Sequence, residues 1–265
     1  MPLFHLAILA VIQGLTEFLP VSSSGHLALT PHFLGLPDQG IAIDVAVHVG
    51  TLGAVLIYCW RDIGLMLLGL AQTLKARGGP GATLFIQIIL ASVPIVVAGY
   101  YVSRHMGDAF RNVEVIAWST LGFGLLLGIA DRLGMTIRRL EHMTYGTALF
   151  IGIAQIFALV PGASRAGIAM TASRMVGFER TDAARFSLLL SIPAILGAGT
   201  LEGLKLHQAG DITLGVNAAV AAGIAFLVAL FSIALMMAWL RHAGFMPFVI
   251  YRVILGAGLL AWIYV

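Results

Sequence analysis

Charged residues are scarce in this sequence. Lysine and arginine number 15 and aspartate and glutamate 12, so 10% of the 265 residues are charged, against roughly 25% in an ordinary soluble domain. A soluble chain of this size must cover its surface with charge, and this chain has too little to do so. Because 60% of the residues are apolar as well, the composition excludes an ordinary soluble protein.

Other signals are missing too. Cys59 is the only cysteine, which excludes an internal disulfide and a cysteine metal cluster, and we expect it to be a small buried apolar residue. Strand-like alternation over ten residues, typical of a porin barrel, does not occur. There is no basic stripe with interleaved aromatic residues, so no nucleic-acid partner is expected. The opening MPLFHLAILAVIQG has neither a cationic start nor a cleavage site, so no removable signal peptide is expected.

Long hydrophobic runs, in contrast, are abundant. Six of them approach or exceed the ~20 residues that a helix needs to cross a bilayer: 41–60, 84–103, 113–130, 186–203, 215–240 and 249–265. They must be helices, because backbone exposed to lipid has to satisfy its own hydrogen bonds. The sequence therefore predicts an all-α integral membrane protein with six transmembrane helices, surrounded by membrane lipids.

Two more apolar stretches are interrupted too early to span. Residues 3–19 run into PVSSSGH, and residues 144–160 run into PGASRAG; each break is followed by a short second arm. Arms of ten or so residues cannot cross, so we predict two re-entrant helix–loop–helix hairpins, at 3–37 and 144–177. Non-helical backbone at that depth is tolerated only where it lines a cavity enclosed by protein.

The two hairpins resemble each other. LPVSSSGHLALT at 19–30 aligns without a gap with VPGASRAGIAMT at 160–171, which pairs Ser23 with Ser164 and Ser24 with Arg165. We therefore predict that the single membrane domain, 1–265, consists of two repeats, 1–135 and 144–265, each a hairpin plus three spans. Three is odd, so the second repeat must be inverted. Inverted repeats with broken helices place the binding site at the repeat interface.

The cations between the apolar runs predict the topology. Ten lysines and arginines fall in four cation-rich segments, 61–83, 131–143, 174–185 and 241–248, against three in 104–112 and 204–214. The positive-inside rule assigns the four cation-rich segments to the cytoplasm. The first hairpin then opens to the outside and the second to the inside.

The first hairpin carries an acid–amide pair. Gln13 and Glu17 are four residues apart and share one helix face. An ionised residue inside an apolar hairpin is costly and is a functional-site hypothesis by default. Glu17 is expected to be a metal ligand or a general base, because hard divalent ions bound to phosphate favour carboxylate oxygens. Gln13 could supply a carbonyl oxygen to the ion, or it could only make an interhelical hydrogen bond.

Hydroxyls and a histidine follow this pair. Ser22, Ser23 and Ser24 form a hydroxyl-rich turn, which is more often a helix cap when it stands alone. Beside Glu17 and His26 it could contain an activated nucleophile or bind phosphate oxygens. We expect His26 to be functional rather than a buried structural histidine.

The second hairpin offers an anion site. Arg165 follows Ser164 in a glycine-rich break, and the planar guanidinium matches phosphate geometry. Ser164, Gly162 and the amides that open the next helix could complete a cradle, because helix N-termini attract phosphate. Thr171, about two turns on, either supports this site or only packs between helices.

Asp44 and His48 lie four residues apart on the first true span. They are either a structural polar pair or side chains that line the cavity from the side.

The run Q-x-x-x-E-F-L-P-V-S-S-S-G-H, followed later by P-G-A-S-R, closely resembles the undecaprenyl-diphosphatase (bacitracin-resistance protein) family. The resemblance covers essentially the whole chain: its length, two hairpins, repeat and both motifs in order. The family's functional positions fall on Gln13, Glu17, Ser23, His26, Ser164 and Arg165. Two positions depart from the family pattern: Gln13 stands where glutamate is frequent, and Ala166 where serine is frequent.

This resemblance implies an enzyme of the bacterial cytoplasmic (inner) membrane. It would remove one phosphate from undecaprenyl diphosphate, a polyprenyl diphosphate lipid, and so regenerate the monophosphate carrier for cell-wall synthesis. Arg165 and Ser164 would bind the phosphates, and the active site would open to the outer side. The rival class is an alternating-access transporter for lipid phosphates or small anions, since inverted repeats also suit that function. The protein could form a homodimer, which the sequence does not decide.

The catalytic roles follow from the same resemblance. Glu17 and Gln13 would hold a divalent cation, Mg²⁺ or Ca²⁺, and Ser23 would attack the phosphate. His26 would act as general base or acid. His26 itself and a metal-bound water remain alternative nucleophiles at this stage.

Overall fold

The computed structural model describes residues 3–35, 40–75, 78–105, 112–209 and 212–265. Within this part of the chain the secondary structure is helical, with a single isolated β-bridge between Arg138 and Phe178. The α-helices are α1 Leu3–Thr16, α2 Ser23–Leu34, α3 Ile41–Tyr58, α4 Trp60–Leu74, α5 Pro80–His105, α6 Val113–Leu133, α7 Tyr145–Ala154, α8 Arg165–Met175, α9 Arg180–Ala209, α10 Ile212–Leu240 and α11 Met246–Tyr264. Two short 3₁₀ helices cover Leu140–His142 and Gln155–Leu159. The all-α prediction is confirmed.

Among the described residues, five helices are long and apolar enough to cross a membrane. They are Ile41–Tyr58, Pro80–Val102, Val113–Leu133, Thr213–Leu240 and Met246–Tyr264, and they coincide with five of the six predicted spans. The sixth predicted span, 186–203, falls inside α9, where several side chains lie outside the described residues. It stays a prediction.

The hairpin helices are short. Helices α1, α2, α7 and α8 have 14, 12, 10 and 11 residues, well below the ~20 that a span requires. Both hairpins break where the sequence predicts, since α1 ends at Thr16 and α8 begins at Arg165. The predicted end of the first hairpin, residue 37, lies outside the described residues.

Small residues bring the long helices close together. Helix α10 packs against both α3 and α1, and α11 packs against α6. At the α3–α10 contact, a Cβ on Gly50 would overlap the backbone of Ala222, so only glycine allows this approach. Close packing through small residues is the usual way in which membrane helices associate.

The four cation-rich segments meet at one end of the molecule. Arg185 donates two hydrogen bonds to the carboxylate of Asp62, one of them 2.8 Å long from Nε to Oδ2. The carboxylate of Asp131 accepts from Arg174 Nε and from the backbone N–H of Phe245, each at 3.1 Å. These contacts link all four segments, which therefore lie at the same end of the molecule. The count of cations in the sequence had placed the same four segments in one group.

Candidate active site

Each hairpin turns into its second helix through a serine in a left-handed conformation. Ser22 has φ 77° and Ser164 has φ 71°, values that cost strain in a residue other than glycine. Each caps the helix that follows: Ser22 Oγ accepts from Gly25 N at 3.3 Å, and Ser164 Oγ accepts from Gly167 N at 3.0 Å. Ser22 is therefore a helix cap, which was one of the two interpretations of the serine triplet.

These caps shift the expected pairing of the two loops by one residue. The gapless alignment paired Ser23 with Ser164, but the capping roles pair Ser22 with Ser164 and Ser23 with Arg165. Consequently, Ser23 and Arg165 are each the first residue of their helix. The alignment missed this because it matched the two prolines. The capping residue in each loop is instead the serine that lies three residues before a glycine.

The carboxylate of Glu17 is the meeting point of the two hairpins. Its Oε1 accepts from Arg165 Nη2 at 2.5 Å, and its Oε2 accepts from Ser23 Oγ at 2.6 Å and from Gln13 Nε2 at 2.9 Å. His48 Nε2 lies 3.5 Å from the same Oε2. Glu17 is 7% exposed, so a buried carboxylate is surrounded by polar side chains from α1, α2, α3 and α8.

A cavity of about 320 Å³ opens beside this cluster. Polar side chains line one part and apolar side chains the other: Glu17, Ser23, Ser24, Asp44, His48, Ser164 and Arg165, then Val45, Ile95, Ala158, Ala194 and Ile195. The apolar lining includes the residues directly after Pro94 in α5 and Pro193 in α9. Proline removes one hydrogen bond of the helix in which it stands, and both of these positions border the cavity.

Two helix N-termini face this cavity. Ser23 and Ser24 open α2, and Arg165 opens α8. The first N–H groups of a helix have no partner within it, and together with the helix dipole they attract anions. Two N-termini with one guanidinium suit a ligand that carries several negative charges.

His48 is a site residue that the sequence left undecided. Its Nδ1 lies 2.7 Å from the carbonyl oxygen of Asp44, which directs Nε2 towards Glu17. Of the two interpretations of Asp44 and His48, the geometry favours the lining of the cavity. The signal in the sequence is a polar pair at i and i+4 inside an apolar span.

His26, which was predicted to be the general acid or base, contacts Ser22 and Tyr251 in the structure. Its Nδ1 lies 2.6 Å from the carbonyl oxygen of Ser22, and its Nε2 lies 2.5 Å from the hydroxyl of Tyr251 in α11. The two rings stack with centroids 5.7 Å apart. These contacts dock His26 on α11.

Two other predicted residues, Gly162 and Thr171, are not part of the lining of this cavity. Gly162 has φ 91°, and a Cβ there would strike Ser119 and Thr120 of α6, so this glycine permits the loop to pack. The hydroxyl of Thr171 donates to Gly167 O at 2.7 Å, and the residue lines a separate apolar groove. This position of Thr171 fits a role in helix packing better than a contact with phosphate.

Arg252 was not predicted as a site residue. It lies in α11, is fully buried, and donates to backbone carbonyl oxygens of both hairpin loops. The signal was present, because an arginine inside an apolar run marks a functional position.

Comparison with known proteins identifies one matching family and several full-length relatives. The sequence model of the family Bacitracin resistance protein BacA matches residues 6–258. Undecaprenyl-diphosphatase 1 of Rhodospirillum rubrum is 52% identical and is aligned over 100% of this chain and 96% of its own length. The undecaprenyl-diphosphatase of Ruegeria pomeroyi is 48% identical with both chains fully covered. That of Hahella chejuensis is 47% identical over 98% of each chain.

Proposed function

The chain belongs to the family of bacitracin resistance protein BacA, and on that premise we propose that it hydrolyses undecaprenyl diphosphate to undecaprenyl phosphate and inorganic phosphate. This activity would recycle the carrier lipid for cell-wall synthesis and confer bacitracin resistance. The full-length relatives that bear the name undecaprenyl-diphosphatase support it. The observation that carries the proposal is the contact of Ser23 and Arg165, from different hairpins, with one buried carboxylate.

Substrate binding follows from the charges around the cavity. Arg165 is the cation at the cavity wall, and the N-termini of α2 and α8 add N–H donors for phosphate oxygens. The hydroxyl of Ser24 lines the same wall and can donate to the diphosphate. The apolar part of the lining suits the first isoprene units of the lipid tail.

The chemistry starts at Ser23. Its hydroxyl donates to Glu17 at 2.6 Å, which is the geometry of a nucleophile with its general base. Ser23 Oγ attacks the terminal phosphorus, its proton passes to Glu17 Oε2, and the bridging P–O bond breaks to release the lipid monophosphate. Glu17 gives this proton to the departing lipid monophosphate and is a carboxylate again. Water then attacks the phosphoserine and gives a proton to Glu17, which passes it to Ser23 Oγ as the Ser–P bond breaks and inorganic phosphate leaves.

The role of Arg165 is electrostatic. Phosphoryl transfer depends mainly on positioning and on neutralising the charge of the phosphoryl oxygens. In the structure the guanidinium forms an ion pair with Glu17. A bound diphosphate would attract it away and leave the carboxylate freer to accept the proton of Ser23.

A divalent cation, Mg²⁺ or Ca²⁺, belongs to the proposal as an ion shared with the substrate. The described residues contain no group of three His, Cys, Asp or Glu side chains that could hold a metal. Gln13 Oε1, however, is buried and has no hydrogen-bond partner among the described atoms, so it fits as an oxygen ligand next to Glu17. Mg²⁺ is commonly held by one or two carboxylates plus substrate phosphates. It would neutralise the diphosphate.

The membrane arrangement completes the proposal. Six spans and two re-entrant hairpins in the bacterial inner membrane would put the four cation-rich segments in the cytoplasm and open the active site to the outer side. Thr213→Cys should then react with an impermeant thiol reagent in intact cells, and Thr136→Cys should react only after permeabilisation. The opposite labelling pattern would invert the proposed orientation.

The activity itself is tested in detergent, where transport is impossible. Purified protein should release one inorganic phosphate for each undecaprenyl diphosphate consumed, with undecaprenyl phosphate as the lipid product. A protein that is folded by size exclusion and releases no phosphate above the buffer rate would overturn the proposal in favour of a carrier.

A further inference from the structure

Arg252 is a fully buried arginine in the middle of the apolar helix α11. The hydrogen bonds that it makes to described residues all end on backbone carbonyl oxygens, with no carboxylate among them. An ionised side chain at membrane depth is costly and persists where it has a function. Carbonyl oxygens of non-helical backbone are the groups that need donors at this depth.

The guanidinium joins the two hairpin loops. Its Nη1 donates to Pro20 O at 3.2 Å in the first loop. Its Nη2 donates to Gly162 O at 2.9 Å and to Ala163 O at 3.0 Å in the second. Its Nε donates to Thr120 O of α6 at 3.0 Å. One rigid fork therefore sets the distance between the two loops.

Close packing around the guanidinium of Arg252 restricts where this side chain can lie. A Cβ on Gly124 would come 2.8 Å from the Cβ of Arg252, and a Cβ on Gly167 would come 2.9 Å from Nη1. The preceding residue, Tyr251, holds His26 of the first hairpin through its hydroxyl. Two consecutive residues of α11 thus form hydrogen bonds with the first hairpin.

We propose that Arg252 is a positioning residue that holds the two hairpin loops at the spacing at which Ser23 and Arg165 both reach Glu17. Pro20 lies three residues before Ser23, so its anchored carbonyl fixes the start of α2. This role rests on the proposed phosphatase function. A displacement of about 1 Å in a reacting group can cost roughly a hundredfold in rate, so the spacing governs turnover more than substrate affinity.

Arg174 provides a matched control. It is also fully buried and also donates to backbone carbonyl oxygens, but at the far end of α8, beside Asp131. Arg252→Lys keeps the charge and loses the fork, and Arg174→Lys makes the same chemical change away from the loops. Steady-state phosphate release and thermal unfolding are measured for both variants in detergent.

We expect Arg252→Lys to lower kcat by about ten- to a hundredfold with little change in KM, and Arg174→Lys to lower thermal stability with near-normal kcat per folded molecule. Equal kcat in the two variants, at equal folded fraction, would make Arg252 merely structural and overturn the proposal. If Arg252→Lys does not fold, Gly124→Ala decides, because its Cβ would come 2.8 Å from Cβ and 3.2 Å from Nε of Arg252 and would displace the fork. It should lower kcat by about two- to tenfold; an unchanged kcat would refute the role.

A distance measurement tests the same role without catalysis, so it also separates a failure of this proposal from a failure of the proposed function. Spin labels are placed on the exposed Leu15 of the first hairpin and Phe157 of the second, in a Cys59→Ala background. The distance distribution should broaden or shift in Arg252→Lys and stay unchanged in Arg174→Lys. Identical distributions in the two variants would contradict the positioning role, whatever the enzyme activity.

Discussion

Replacing Glu17 by glutamine tests the centre of the site with almost no change in volume. The carboxylate accepts hydrogen bonds from Arg165, Ser23 and Gln13, and it has two oxygens for these three donors. An amide has one acceptor oxygen and presents N–H groups on its other side, so when the oxygen faces Arg165, Ser23 and Gln13 must accept instead of donate. Arg165 also loses the negative charge that it pairs with.

The expected magnitude follows from the lost base. General base catalysis contributes about 10²–10⁴ in rate, and the amide of glutamine cannot accept the proton of Ser23. The lost ion pair with Arg165 lowers stability as well, since a hydrogen bond to a charged group is worth about 1.5–3 kcal/mol. We therefore expect the kcat of Glu17→Gln to fall by about 10²–10⁴ and its melting temperature to fall measurably.

The assay is phosphate release from undecaprenyl diphosphate in detergent at saturating substrate, normalised to protein that is folded by size exclusion. Glu179→Gln is the control, because Glu179 pairs with Arg139 far from the cavity and is partly exposed; it should retain wild-type turnover. If Glu17→Gln keeps turnover within about tenfold of wild type, the carboxylate is not the base, since even weak general base catalysis exceeds that factor.

Three further predictions address the neighbours of Glu17. Arg165→Lys keeps the charge but not the fork and should lose at least about tenfold in kcat/KM; wild-type values would show that charge alone suffices. His48→Leu should lower phosphate release more than Tyr251→Phe, because His48 lines the cavity and Tyr251 contacts His26; the reverse order would indicate that His26 is the residue that acts in the chemistry. EDTA should abolish phosphate release and added Mg²⁺ or Ca²⁺ should restore it, while full activity in EDTA would exclude the shared cation.

The sequence alone pointed to the charged residues that meet in the site, because an ionised side chain inside an apolar hairpin is energetically costly. A carboxylate and an arginine inside two apolar hairpins can be tolerated only together or around a ligand, and Glu17 and Arg165 form such a pair. The prediction that the hairpins face each other came from the weak repeat between them. Chemistry and spacing were therefore enough for Glu17 and Arg165, whereas the choice of Ser23 among the three serines came from the family resemblance.

Contacts between distant segments could not be predicted in the same way. Arg252 is 232 residues from Pro20, and Tyr251 is 225 residues from His26, so no local pattern indicates that α11 binds the first hairpin. The backbone conformation of Ser22 and Ser164 was equally hidden, because a left-handed serine is uncommon. That conformation sets the register in which Ser23, rather than Ser22 or Ser24, points at the base.

The most direct test of the proposed mechanism compares two neighbouring hydroxyls. Ser23→Ala and Ser24→Ala each remove one oxygen from the same cavity wall, but only Ser23 donates to Glu17. Measured as phosphate release at saturating undecaprenyl diphosphate, Ser23→Ala should lose at least about 10³ in kcat, as expected when a nucleophile is removed, and Ser24→Ala should stay within about tenfold, the loss of one phosphate hydrogen bond. Turnover of Ser23→Ala equal to that of Ser24→Ala would contradict a serine nucleophile.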